Sequence, residues 1–277
     1  MRKLQFCCTA LLAALPLLSG CGQSGTTQLS VISYNIRMGV ADDGENSWEH
    51  RRPATIEMLR DKHPDIFGVQ EAFDFQIEYI TDNLPEYKSI GVGRDDGKDA
   101  GEHMDIFYDS ETVKLIEWGT FWLSETPGEP SMGWDAACPR TATWALMEKA
   151  GRRFYYVNTH LDHVGKEAQK NGLALIVDRI ADINPEAYPM VLTGDFNVTP
   201  DDPVLDGLKT KMLSARDNAT ETDHLGTFNG WGANDWILDY IWYSGFSSCD
   251  RFETVRKQYG GIPYISDHYP VSALLTF

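Results

Sequence analysis

Thr193-Gly194-Asp195-Phe196-Asn197 follows the apolar run Met190-Val191-Leu192 and leads on to Pro200. Three apolar residues are too few for a helix, Val191 favours extended backbone, and Gly194 and Pro200 punctuate the stretch. It therefore reads as a short buried strand running into a loop. Asp195 and Asn197 are two apart, so in an extended segment they point the same way. A carboxylate beside an amide at the carboxyl end of a strand suits a hard cation or a phosphate. Alone the motif says little, because Gly-Asp pairs also close ordinary turns.

The same pattern recurs on either side of it. Residues 29–36 are apolar enough on both faces for a buried strand, yet carry Asn35 near the end. Residues 48–62 place Ile56 and Leu59 on one face, which predicts a helix starting near Pro53 and stopped by His63-Pro64. Residues 65–71 give a second strand ending at Glu71, and Ile77, Ile80 and Leu84 follow at helical spacing. Strand, helix, strand, helix implies an α/β layout. Residues 104–108 and 113–118 read as paired strands, and residues 124–139 form a long loop punctuated by Pro127, Pro130 and Pro139. Lys149-Ala150-Gly151-Arg152 predicts a hairpin between 140–147 and 154–160. Residues 164–183 carry Leu173, Ile176, Val177 and Ile180 on one helical stripe. Residues 236–243 and 270–277 read as closing strands, with Ser266-Asp267-His268 between them. No repeat, low-complexity segment or linker divides the chain.

With 277 residues, 42% of them hydrophobic, the chain can bury a large core, and one domain or two tightly packed halves is expected. Arg2 and Lys3 precede a mostly apolar run over residues 4–18, the pattern of a secretory signal peptide over residues 1–20. Leu18-Ser19-Gly20-Cys21 resembles a bacterial lipobox, which implies lipidation of Cys21 and cleavage just before it. The alternative is an ordinary signal followed by a chance cysteine. Residues 21–28, rich in Gly, Ser and Thr, read as a flexible tether, and residues 29–277 as the functional domain. The expectation is an exported protein held at a membrane by its lipid and facing the periplasm or the cell surface. Loss of Arg2 and Lys3 with the leader takes the formal charge from −17 to −19. So acidic a surface disfavours tight nonspecific binding of duplex DNA. Of the remaining cysteines, Cys138 and Cys249, an exported compartment permits a disulfide, but two separate, mostly buried thiols are the favoured reading.

The strand ends collect Asn35, Glu71, His160, Asp195, Asn197, Asp239 and the pair Asp267-His268. Asp239 stands inside Trp236-Ile237-Leu238-Asp239-Tyr240-Ile241-Trp242, where an unpaired carboxylate is costly, so it requires a histidine or a metal as partner. Each residue also has a plain structural reading: Asn35 and Asn197 as loop caps, Glu71 as a charge at a helix start, His160 as a satisfied interior histidine. Jointly they carry more weight, since separate strands all end in acids, amides or histidines and none in a nucleophilic Ser or Cys.

The ordered motifs Tyr34-Asn35, Gln70-Glu71, Asn158-Thr159-His160-Leu161, Gly194-Asp195-Phe196-Asn197, Asp239-Tyr240-Ile241 and Ser266-Asp267-His268-Tyr269-Pro270-Val271 resemble those of the endonuclease/exonuclease/phosphatase superfamily. The resemblance covers residues 29–277. It implies a four-layer α/β sandwich, two packed mixed β-sheets flanked by helices, with a divalent metal at the strand ends. It implies that Glu71, helped by Asn35, binds Mg²⁺ (with Mn²⁺ as a substitute), and that Asp267 is a further metal ligand. Asp195 would orient or deprotonate water, Asn197 would hold water or a phosphoryl oxygen, and His268, fixed by Asp239, would contact phosphate. His160 would be a second catalytic histidine, with Glu102 placed to orient it. Arg94, Arg140 and Asn158 are candidate substrate contacts, and Trp122, Trp134 and Trp231 suit either a stacking wall or core beneath the loops.

The tyrosine that grips DNA in deoxyribonucleases falls on Ala100, which further disfavours duplex DNA. The expected activity is Mg²⁺-dependent hydrolysis of a phosphoester of unidentified substrate by in-line attack of water, foremost as a phosphodiesterase acting as a monomer. Phosphomonoester hydrolysis of sugar or inositol phosphates and a catalytically idle surface binding module are the alternatives.

Overall fold

Alternation along the strands decides which side chains meet in this molecule. The computed structural model describes Met1 and residues 26–277; Cys21 and, apart from Met1, the expected leader lie outside the described residues, as does the tether up to residue 25. In chain order the elements are β1 (Gln28–Asn35), α1 (Trp48–Lys62), β2 (Ile66–Gln70), α2 (Asp74–Asn83), β3 (Tyr87–Ile90), β4 (Ile106–Asp109), β5 (Val113–Trp122), β6 (Thr141–Lys149) and β7 (Arg152–His160). There follow α3 (Lys166–Ile183), β8 (Met190–Asp195), β9 (Leu213–Ser214), β10 (Ala219–Glu221), β11 (Asp239–Ser244), β12 (Ser248–Thr254) and β13 (Val271–Thr276). One sheet has the order β10-β12-β13-β1-β2-β4-β3 and the other β5-β6-β7-β8-β11-β9. Both are mixed: β1 and β2 run parallel, as do β7 and β8, while most remaining pairs are antiparallel.

Residues of one parity meet between the sheets. Leu29 and Val31 of β1, Tyr156 of β7, Val191 of β8 and Ile241 of β11 share that central core. The opposite parity packs outward. Ile32, Tyr34, Phe67 and Val69 lie against α1 and α2, and Tyr155, Val157, Leu192 and Trp242 lie against α3. Helix, sheet, sheet, helix is the expected four-layer sandwich.

Three local readings change. Helix α1 begins at Trp48, a full turn before Pro53, because that first turn is anchored by burial. Trp48 packs into the outer core, and Arg51 donates from Nη1 to the carbonyls of Ile36 (2.8 Å) and Ile265 (2.9 Å), so the amide that Pro53 lacks is tolerated. The strands at 104–108 and 113–118 do not pair. β4 lies between β2 and β3, whereas β5 pairs with β6 in the other sheet. Alternation marks both as strands but carries no record of which edge each joins. The strand expected over residues 236–243, β11, begins at Asp239 and not Trp236, since Trp236 is 57% exposed and bridges Phe228 instead. The predicted hairpin forms, with Ala150 (φ 49°) and Gly151 (φ 77°) giving the double left-handed turn that suits strand twist.

Asn158, expected to contact substrate, is instead a strut between the sheets. Its Nδ2 donates to the carbonyls of Val69 (2.7 Å) and Asp105 (3.1 Å), and its Oδ1 accepts from Gln70 Nε2 (2.7 Å) and Thr193 Oγ1 (3.1 Å). It is fully buried and has no capacity left for a ligand. A Cβ at Gly68 would run into this amide, which accounts for the glycine inside β2. Asn158→Ala strands several of these partners without water. It is expected to cost about 3 kcal/mol of stability, read as a lower denaturant midpoint at unchanged slope.

Candidate active site

Parity carries the site residues to one mouth of the gap between the sheets. Asn35, His160, Asp195 and Asp239 each share the inward parity of their strand, and each lies at the end of that strand which opens at this mouth. β7 and β8 are parallel and finish together, with His160 opposite Asp195. β11 runs antiparallel to β8 and so begins where β8 ends, with Asp239 opposite Asp195. Gly194 permits this close pairing, since a Cβ there would meet the Thr159 carbonyl. Glu71 has the wrong parity, that of Phe67 and Val69, but its left-handed backbone (φ 61°) turns it into the mouth. Asn197, just past β8, is left-handed as well (φ 53°). The loop before β13 delivers Asp267 and His268, tied down by Ser266 Oγ, which donates to the Asn35 carbonyl at 2.7 Å.

Once gathered, these groups form one network. Asn35 Nδ2 donates to both Glu71 Oε1 (2.9 Å) and Asp195 Oδ2 (3.0 Å), and its Oδ1 accepts from the Arg37 amide (3.0 Å). Its role here is to hold two carboxylates in place. Asp195 Oδ1 accepts from the Asn197 amide at 2.9 Å, while Asp195 Oδ2 lies 3.5 Å from His160 Nε2 and 3.6 Å from His268 Nε2. His268 Nδ1 donates to Asp239 Oδ2 at 2.8 Å, the partner that the buried Asp239 requires. Asn197 Nδ2 donates to His160 Nε2 at 2.9 Å, which leaves the proton of the neutral ring on Nδ1. Glu102 does not hold that nitrogen. Its carboxylate stands 4.0 Å away and is taken by Arg94 Nη1 at 2.6 Å.

The mouth opens into a cavity of about 530 Å³. Arg94 and Arg140 are both on its wall, as are Arg37, Met38, Cys138 and His163. Arg140 is positioned by Asp162 (3.5 Å) and His163 (3.0 Å); Asp162 in turn accepts backbone amides from Ala137, Val164 and Gly165. Phe228 packs on the His268 ring at 4.9 Å, and the exposed Trp236 stands beyond it. Trp122, Trp134 and Trp231 do not line the cavity; Trp122 is buried and donates to the Arg94 carbonyl at 2.7 Å. Sequence reasoning passed over Arg37 and Trp236. Both stand beside a recognised motif, Arg37 two residues after Asn35 and Trp236 three before Asp239. Cys138 and Cys249 are separate thiols, the first half-buried on the cavity wall and the second in the core.

Burial and charge set the two histidines apart. Burial, together with the nearby Arg140, Arg94 and His268, holds His160 well below the usual imidazole range, so it is neutral. Burial would also lower His268, but the charges of Asp239 and Asp195 and the Asp239 hydrogen bond outweigh it and raise it to about 10. Burial lifts Asp195 to about 7 against the pull of the His268 charge, a value suited to taking a proton near neutrality. Asp267 is raised by its burial, and the neighbouring Glu71 adds to the effect. Glu71, His160 and Asp195 each offer a ligand atom within 4.8 Å of the others, and Asp267 faces the same cavity. This carboxylate-rich donor set fits a hard divalent cation, with Glu71 and Asp267 as the residues that would hold it.

Residues 32–268 match the endonuclease/exonuclease/phosphatase family over most of the chain. The chain belongs to this family and is a phosphoester hydrolase. It is similar in structure to an endonuclease/exonuclease/phosphatase family protein of Bacteroides thetaiotaomicron, with 34% identity, a TM-score of 0.87, and 91% of this chain and 99% of the other covered. A mannosyl-6-phosphatase of the same organism gives 34% identity, a TM-score of 0.86 and coverage of 90% and 100%. A Bacteroides vulgatus member of the family gives 35%, 0.84, and 90% and 99%.

The raised His268 makes stability fall with pH. Its folded value lies above the ordinary imidazole value, so its contribution is complete below about 6.5 and is lost as pH rises through about 10. With chelator present, the urea midpoint is expected to decline from pH 7 to pH 10 in the unsubstituted protein. In His268→Gln that decline is expected to be flatter; equal slopes would show that His268 is not held charged.

Proposed function

We propose that the protein is a divalent-cation-dependent phosphomonoester hydrolase acting on a phosphorylated sugar. The observation that carries this reading is the shape of the site: the catalytic groups line a concave cavity of about 530 Å³, with Arg94 and Arg140 on its wall, which suits one small phosphorylated molecule. The similarity to a mannosyl-6-phosphatase supports the same substrate class. Mg²⁺, or Mn²⁺ in its place, is the proposed ion, and when bound it would neutralise charge developing on the phosphoryl oxygens.

The side chains divide the remaining work. Asp195 takes the proton of the attacking water, poised by burial and aligned by Asn35 and the Asn197 amide. His268, kept cationic by Asp239, donates from Nε2 to a phosphoryl oxygen as negative charge accumulates there. His160 is neutral and its Nε2 already accepts from Asn197, so it serves to fix the amide that faces the phosphoryl group. Arg94 and Arg140 face the body of the substrate, and Asn35 keeps Glu71 and Asp195 apart at a fixed spacing. Export and tethering through Cys21, and action as a monomer, complete the proposal.

Phosphodiester hydrolysis is the second reading, favoured by one feature: Trp236 offers an exposed indole beside the catalytic floor, against which a second ester group can stack. The deciding assay compares a hexose 6-phosphate, p-nitrophenyl phosphate and bis-p-nitrophenyl phosphate with Mg²⁺, Mn²⁺ or EDTA. The expected result is monoester turnover lost on EDTA. Preference for the diester would replace the monoesterase reading, and unchanged rates in EDTA would remove the cation from it. Asp195→Ala and His268→Ala are each expected to lower kcat by about 10³-fold or more while the far-ultraviolet spectrum stays native. A near-normal rate in either variant would refute its assigned role.

A further inference from the structure

The stretch that carries Glu102 to the catalytic mouth has a second face. Successive residues of extended backbone point to opposite sides, and where Glu102 lines the mouth, His103 lines a separate cavity of about 220 Å³. No lining residue is common to the two.

A buried pair makes the floor of this cavity. His103 Nδ1 stands 3.3 Å from Asp105 Oδ1, and His103 Nε2 lies 3.4 Å from the Asp99 carbonyl. Asp105 is only 4% exposed, and its second oxygen, Oδ2, has no hydrogen-bond partner among the described residues. The backbone beneath is fixed, because the Asp105 carbonyl accepts from the Val69 amide (3.0 Å) and from Asn158 Nδ2 (3.1 Å). Gly91 makes room for the carboxylate, since a Cβ there would overlap Asp105 Oδ1. A carboxylate so buried needs donors at both oxygens, and the second donor has to come from the cavity.

Around this floor the lining is mixed. Asp74 and Asp99 add acceptors, Ser89 and Lys98 add donors, and none of these four side chains is hydrogen-bonded to another described residue. Trp118 completes the wall, 40% exposed on β5, the edge strand of the other sheet. A bulge between Leu115 and Glu117 shifts the register just before it, a device that re-aims the side chains that follow.

Such a lining is selective. Its acids repel an anion, and Lys98 opposes a cation. A metal ion needs several ligand atoms gathered closely, and among the described residues they gather elsewhere, as in Glu71, His160 and Asp195. What suits the cavity is a neutral molecule whose groups both donate and accept, with an apolar face for an indole, which describes a pyranose. The volume lies below the range of about 300–1,000 Å³ that holds larger organic ligands, and so fits one ring.

We propose that this cavity is a second, noncatalytic site that binds one neutral monosaccharide unit, stacked on Trp118 with a hydroxyl donating to Asp105 Oδ2. Binding here needs nothing of the phosphoryl chemistry, since none of the catalytic side chains lines the cavity.

Titration of the full chain with unphosphorylated D-mannose, D-galactose, D-glucose and N-acetyl-D-glucosamine tests this. The readout is the indole N–H resonance of Trp118, assigned as the one lost in Trp118→Phe, together with saturation transfer to the sugar. At least one of the four sugars is expected to shift that resonance to saturation. Trp118→Ala and Asp105→Asn are each expected to weaken that binding by about tenfold or more, with phosphoester hydrolysis unchanged. Asp99→Ala, on the exposed loop, is expected to weaken it as well and gives the reading even if Asp105→Asn folds poorly. No shift with any of the four sugars overturns the site. Binding that survives Trp118→Ala, or that is lost in Trp236→Ala instead, puts the sugar at the mouth and overturns it too.

Discussion

A buried amide joins the two halves of this molecule. Asn158, one residue pair below the catalytic mouth, spends three of its hydrogen bonds across the gap between the sheets, on Gln70, Val69 and Asp105, and the fourth on Thr193 of its own sheet. Apolar contacts between sheets are tolerant of small slips, because the hydrophobic effect has no direction. A four-way amide in a dry gap is not, since any displacement leaves a buried polar group unpaired. The layer continues through Tyr156, whose hydroxyl donates to the Ile32 carbonyl at 3.1 Å, and so it fixes the height of one sheet's strand ends against the other's. Asn35 and Glu71 come from one sheet, and His160, Asp195 and Asp239 from the other. Their mutual spacing is inherited from this polar layer beneath them.

Above it, identical side-chain chemistry acquires opposite properties from its surroundings. His160 and His268 both lie within 3.6 Å of the same Asp195 oxygen. One is buried beside arginines and so stays neutral; the other, though also buried, donates to a buried aspartate and so stays charged. The fold thereby supplies an acid and a neutral spacer without changing residue type.

Much of this was legible from the chain, and the reason is physical. An acid, amide or histidine at the end of an apolar run conflicts with its local context, and that conflict is visible without coordinates. Asp239 showed it most clearly, and His268 resolves it. What sequence withholds is direction and partnership. Asn158 shows the same conflict as Asn35, yet one braces the gap between the sheets and the other holds two carboxylates of the cavity wall. Glu71 follows a strand whose alternation points it outward, and only the left-handed turn at that residue brings it in. β4 and β5 alternate alike, though they belong to different sheets. Trp236 sits among strand-forming residues, but its backbone bonds go to Phe228, which leaves the indole outside.

Arg37, Glu71 and Asn197 all adopt left-handed backbone, and they stand at the edges of the same cavity. For asparagine the conformation is mild; for arginine and glutamate it is a standing cost that a glycine would not incur. The catalytic mouth is thus held in tension by the scaffold around it, and part of the stability of the sandwich is spent on keeping these corners in place. Glycine at these corners would relieve the backbone and remove the side chains that the site is built from.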